Sequence, residues 1–340
     1  MKNKKWISLT AAVVLAVTTL PMGVLAAKKD RAEESFTKVT LNEVAHSIFY
    51  APQYVAIEEG YFAEEGLDLT LVTGFGADKT MTAVISGEAD IGFMGAEASI
   101  YAYQEGATDP VVNFAQLTQR AGNFLVAREQ MADFKWEDLK GKKVLGGRKG
   151  GMPEMVFEYI LRKNGLDPQK DLTIDQSIDF GSTAAAFTGD DSAEFTVEFE
   201  PSATLLEKEN AGYVVASLGV DSGYVPYTSY SAKTSYIDKN PQIIQKFTNA
   251  LQKGMEYVQN HTPEEIAQVI APQFAETDLD TITTIVKRYH DQDTWKSDLI
   301  FEEESFELLE DILEDAGELK ERAEYKNLVN TEYARKAAEK

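Results

Sequence analysis

Residues 43–71, with the apolar run that leads into them, constrain the fold more than any other part of the chain. A short apolar run at 39–44 (VTLNEV) leads into a loop carrying His46, Phe49, Tyr50 and Pro52. A helical stretch follows, then Gly60-Tyr61-Phe62, a second helical turn ending at Gly66, and a segment, 67–72, whose apolar residues alternate. The order strand, helix, strand predicts a βαβ unit, because two parallel strands need a crossover of about a dozen residues or more. In an open α/β sheet, ligands collect where strand carboxyl ends meet helix amino ends. The loop at 45–52 lies at such an edge, so a small-molecule site is expected there.

The alternation continues down the chain. Residues 91–94, 111–117 and 123–127 read as strands, with a helix at 79–86 and another opening at Gly95-Ala96-Glu97. The texture turns charged at 133–143, then the alternation restarts. Strands are expected at 144–147, 172–174, 195–199, 213–218 and 225–232, with helices at 153–163 and after Glu200-Pro201. From Pro241 onward, apolar residues recur at helical spacing over 242–259, 264–270, 279–289 and 302–314. These patterns predict an α/β fold of two lobes, each a doubly wound sheet, with a helical C-terminal segment. The lobe boundaries are expected at 27–127, 128–222 and 223–340. The chain would then cross between lobes near 127–133 and 218–224, which sets a cleft between the lobes and a hinge at the crossings.

The first 26 residues are a separate object. Lys2, Lys4 and Lys5 precede an apolar run to Leu20, Pro21 breaks it, and Val24-Leu25-Ala26 supplies small residues for cleavage. This is the pattern of a secretory signal peptide cut near Ala26. A secreted or periplasmic location is expected, without a lipid anchor, since the chain has no cysteine. The formal charge is −23, and removing the three lysines of the head deepens it to −26. That charge argues against nucleic-acid and anionic-membrane partners. A monomer with a small-molecule ligand is expected.

Motifs for catalysis are sparse. His46, His261 and His290 are scattered, no thiolate exists, and Gly146-Gly147-Arg148-Lys149-Gly150-Gly151 lacks the spacing of a nucleotide loop. No metal site and no cofactor are expected. Binding groups are better supplied. Helix amino ends offer free N–H groups at Gly95, Ala96 and Glu97, at Gly151 and Met152, and at Gly181-Ser182; Gly76 sits in a further loop ahead of a helix. Phe49, Tyr50, Phe75, Phe180, Tyr224 and Tyr227 fall on loops or strand ends, and Tyr50, Phe180 and Tyr227 suit a stacked flat guest. His46 lies in the first loop. Glu200, ending a strand at a lobe edge, could accept two hydrogen bonds from a heterocycle. Glu97 could act likewise, or serve only as a stabilising charge in a helix first turn. Arg148, Lys149 and Arg120 would suit an anion instead.

The segments APQYVAIEEGYFAEEGLDL (51–69) and SGEADIG (86–92), with LKGKKV (139–144) and NPQIIQKFTNAL (240–251), resemble substrate-binding proteins of ABC importers. The group resembled takes alkanesulfonates, nitrate or thiamine pyrimidine precursors. The resemblance implies a periplasmic-binding-protein fold of the second type, hinge closure over a ligand, and a membrane permease with its ATPase as partner. It also implies an acidic residue at the position of Glu200 that reads an aminopyrimidine, so a pyrimidine precursor or similar nitrogen heterocycle is the leading ligand and a sulfonate or nitrate the alternative. Fungal pyrimidine-precursor synthases are similar too. Met94 and Ala98 stand where the resemblance places their cofactor lysine and donor histidine, and no cysteine stands at 225–230, so no enzyme activity is expected.

Overall fold

The computed structural model describes residues 36–179 and 181–340. The expected signal segment, with its cleavage point near Ala26, and the candidate ligand residue Phe180 lie outside the described residues.

Ten strands form two sheets: β1 Thr37–Glu43, β2 Leu67–Thr73, β3 Ile91–Gly95, β4 Val111–Thr118, β5 Asn123–Ala127, β6 Lys143–Leu145, β7 Thr173–Asp175, β8 Phe195–Phe199, β9 Tyr213–Ser217 and β10 Thr228–Lys233. The first sheet runs β2-β1-β3-β10-β4 and the second β7-β6-β8-β5-β9. The opening βαβ unit is present: β1 and β2 pair in parallel from Thr37 opposite Leu67 to Glu43 opposite Thr73. The α/β architecture and helical C-terminal segment are as the sequence leads one to expect. Each sheet is mixed, however, with β10 antiparallel to both its neighbours and β5 antiparallel to β8 and β9.

One assignment differs. The sequence reading keeps 123–127 with the first lobe, whereas β5 pairs in the second sheet, so the chain crosses at 119–122, before the strand. All of β5 is buried. A strand covered on both faces reads as an unbroken apolar run, and such a run says nothing about which sheet will take it. The return crossing follows β9, through the Leu218–Ser222 helix, to β10. The two crossings lie side by side: Arg120 Nη1 donates to the Gly219 carbonyl at 2.9 Å, and a Cβ on Gly219 would collide with the Ala121 carbonyl. Tyr289 and Gln292 tie in from the C-terminal helices, donating to the carbonyls of Gly122 and Ala121.

The helical segment packs back on the first sheet. The Pro241–Asn260 helix lies across the Ala51–Glu58 helix, and Gly254 is the point of closest approach, where a Cβ would collide with the Pro52 carbonyl oxygen. Gly254→Ala should therefore cost about 1–3 kcal/mol through overpacking. A thermal melt checks this, and an unchanged melting temperature would mean the two helices can simply part. Thr262 starts the Pro263–Ile270 helix with a capping box: its hydroxyl accepts from the Glu265 N–H, while the Glu265 carboxylate accepts from the Thr262 N–H. Further on, the chain runs along β4, where the Gln116 N–H donates to the Leu299 carbonyl and Asn113 bridges to Val329. This covers a strand edge that would otherwise be open.

Candidate ligand-binding cleft

A cavity of ≈ 340 Å³ lies where the carboxyl ends of strands from both sheets face each other, and its walls come from both. That volume falls at the low end of small-molecule sites. Its position follows from the sheet topology: β1 ends in the loop carrying His46 to Tyr50, β3 ends at Gly95, and β8 ends at Phe199.

Of the sequence candidates, His46, Tyr50, Gly76, Gly95, Glu97, Gly151, Met152, Glu200 and Tyr227 line the cavity. Phe49 and Ala96 do not. Phe49 is fully buried behind the wall, packing on Tyr50, Phe199, Tyr227 and Tyr289 with ring centroids 5.1–5.8 Å apart. It supports the aromatic lining without forming part of it, because Gly122 leaves room for its ring against the crossing. Ala96 is 1 % exposed and precedes the Glu97–Gln104 helix.

His46 lines the cavity, but both its nitrogens are engaged. Nδ1 faces Glu43 Oε1 at 2.8 Å and Nε2 faces the Gln273 carbonyl oxygen at 2.8 Å. The hydrogen bond to Glu43 pushes its pKa up, against the effect of burial. Glu43, completely buried at the end of β1, also accepts from Gln53, Tyr54 and Thr73. This network fixes the loop, and His46 offers a guest only its ring faces and carbon edges.

Glu200 departs most from expectation. Its carboxylate accepts from the Thr204 N–H and hydroxyl, each at 2.9 Å, and from Arg288 Nη1 at 2.8 Å. It accepts from an N–H in the first turn of the Ser202–Lys208 helix and pairs with an arginine from the C-terminal helices. The residue borders the cavity, yet its side chain is completely buried and three of its roughly four acceptor positions are held by the protein, so the expected reading of a heterocycle through Glu200 is not supported.

A further lining carboxylate, which the sequence reading missed, is Glu198. It is 2 % exposed and accepts from the hydroxyls of Thr183 (2.9 Å) and Thr196 (2.6 Å). Burial pushes its pKa up to about 7 against the pull of those two hydroxyls. A signal was there to read: in Phe195-Thr196-Val197-Glu198-Phe199 the polar residues alternate with apolar ones, and an acid inside a strand of that kind calls for a partner. Asn123, Phe199 and Thr183 were also missed. Asn123 accepts from the Tyr227 hydroxyl, which orients that ring at the wall.

Glu97, first residue of its helix, is 3 % exposed, and burial pushes its pKa up to about 7. Arg148 stands beside Gly151 and Met152 at the start of the Met152–Lys163 helix. Phe75 lines the rim, 66 % exposed and with a left-handed backbone (φ 55°), a conformation that costs a bulky residue energy. The lining thus combines aromatic walls, the buried carboxylates of Glu97, Glu198 and Glu200, several helix amino ends and the guanidinium of Arg148. Among the described residues no group of acids and histidines is placed to hold a metal.

Comparison with known proteins agrees with this architecture. Over 332 residues the chain is 48 % identical to the Bacillus subtilis strain 168 protein named "Putative binding protein YtlA", covering 98 % of each. It is 24 % identical over 252 residues to the riboflavin-binding protein RibY of Chloroflexus aurantiacus, covering 73 % of this chain and 70 % of that one. Among solved structures, the alkanesulfonate-binding protein SsuA of Xanthomonas axonopodis pv. citri superposes with a TM-score of 0.70 at 15 % identity, covering 87 % of this chain and 98 % of that one, which establishes the periplasmic-binding-protein fold. The family model described as "NMT1/THI5 like" matches residues 48–266, and the chain belongs to that family.

Proposed function

We propose that this protein is the extracytoplasmic solute-binding component of an ABC importer, and that its ligand is a neutral or cationic nitrogen heterocycle such as a thiamine pyrimidine precursor. The observation that carries the reading is the pairing of aromatic walls (Tyr50, Phe199, Tyr227) with two buried carboxylates (Glu97, Glu198) in one small cavity. A flat ring stacks or packs edge-on against the aromatics. A carboxylate accepts from ring N–H and amino groups, and burial strengthens such bonds. The same carboxylates disfavour a sulfonate or nitrate. The relative named for riboflavin, another nitrogen heterocycle, supports the class.

In the proposed cycle the lobes, 36–122 with 223–340 and 123–222, close about the paired crossings at 119–122 and 218–227. The closed form docks on a membrane permease that its ATPase drives, and no bond in the ligand is made or broken. The leader at 1–26 directs export, and the protein acts as a monomer.

A thermal-shift titration of the mature protein tests this. 4-Amino-5-hydroxymethyl-2-methylpyrimidine at 100 times its dissociation constant should stabilise the fold by about 2.7 kcal/mol. Glu198→Gln should weaken that binding about tenfold to a hundredfold, the loss of a charge-assisted hydrogen bond. A shift with ethanesulfonate or nitrate and none with the pyrimidine or riboflavin would reject the ligand class.

A further inference from the structure

Two helices of adequate length begin at opposing walls of the cavity, Glu97–Gln104 from the first sheet and Met152–Lys163 from the second. Helix amino ends present unpaired N–H groups and attract anions. Arg148 stands next to the second of them, with Asp78 Oδ1 3.8 Å from its Nη2, and Gly95, Glu97, Arg148, Gly151 and Met152 all line the same space. Such a place is built to receive an anion.

The chain fills it with its own. Glu97 is 3 % exposed, and its Oε2 has no hydrogen-bond partner among the described residues. The carboxylate lies folded over Gly95, where any Cβ would collide with it, so the missing side chain at 95 is what makes room. Its own backbone N–H, the Arg148 charge and the Met152 N–H all pull toward the ionised form, against burial. An ordinary first-turn glutamate would reach into solvent, and this one is aimed inward.

We propose that Glu97 determines specificity by occupation: its carboxylate fills an anion seat formed by two helix amino ends and Arg148, which bars small oxyanions and reserves the cavity for neutral or cationic guests. A chain without that carboxylate takes up a small monoanion in its place. The inference deepens the heterocycle assignment above and rests on it for the identity of the normal guest, although the seat itself is tested separately.

The experiment uses mature wild type, Glu97→Ala and Glu97→Gln, with ethanesulfonate and nitrate as probes and titration calorimetry at pH 8 as the readout. Wild type should give no heat with either anion up to 10 mM. Glu97→Ala should bind ethanesulfonate at least 100-fold more tightly than that limit, and adding Arg148→Ala should remove the gain. Glu97→Gln keeps the bulk and loses the charge, so it should gain about tenfold; it decides the matter if the alanine variant does not fold. A folded variant with no gained anion affinity, or wild type binding the anions as tightly as the variants, overturns the proposal. Loss of the pyrimidine response in wild type, with anion gain intact in Glu97→Ala, would reject the heterocycle and leave the seat standing.

Discussion

Arg288→Ala should destabilise the protein by about 3–5 kcal/mol, the usual cost of removing one partner from a buried ion pair. The Glu200 side chain is completely buried, and Arg288 is its charge partner, with Nη1 at 2.8 Å from Oε1. The same guanidinium holds Glu207 and also donates to the Thr204 hydroxyl at 3.0 Å. Without it the carboxylate keeps only its two hydrogen bonds from Thr204. The Leu279–Asp291 helix that carries Arg288 would at the same time lose its hold on the second sheet's Ser202–Lys208 helix, apart from the contacts Lys208 makes to Asp278 and Thr281. Urea unfolding at pH 7 reads the loss as a lower midpoint. Adding Glu200→Gln to Arg288→Ala should recover part of it, because a neutral amide tolerates burial better than an unpaired charge. A loss below about 1 kcal/mol, or no recovery in the double variant, would mean that Glu200 finds another partner or reaches water.

The second large effect is on pH dependence. Burial raises Glu97 and Glu198 from an ordinary value of 4.5 to about 7. Between those limits the folded chain holds protons that the unfolded chain has released. Stability therefore falls as pH rises through that window and levels off above it, by up to about 3 kcal/mol for each group. Glu154, pushed up by burial and by the neighbouring Glu158, adds in the same direction. The empty protein should melt at higher temperature at pH 5.5 than at pH 8. The double variant Glu97→Gln with Glu198→Gln should flatten most of the slope, leaving the part due to Glu154. A melting temperature that is constant or rising between pH 5.5 and 8 would show that the two carboxylates are solvated when the cleft is empty.

How much of this was legible depended on the range of the interactions. The βαβ unit at 37–73, the glycine-bounded helix starts and the helical tail were readable because strand alternation, helical spacing and capping residues act within a few positions of one another. Part of the cavity wall was readable for the same reason: Tyr50, Gly95, Glu97, Gly151 and Met152 stand at helix starts or strand ends, and the topology gathers those at one edge. Phe49 was not distinguishable from Tyr50 by sequence, since which of two adjacent aromatics turns inward is set by what packs behind them, here Tyr289 and Gly122 from distant segments.

Local chemistry, then, determined by itself the class of fold, the order of its elements and the sheet edge at which the cavity lies. Only tertiary structure decided that β5 joins the second sheet, that Glu200 is bound to Arg288 eighty-eight positions away, and that Glu198 joins Glu97 in the cavity wall. The physical reason is that a carboxylate's role is fixed by which donors reach it. For Glu200 those donors include one from the far end of the chain, and no local pattern encodes its arrival.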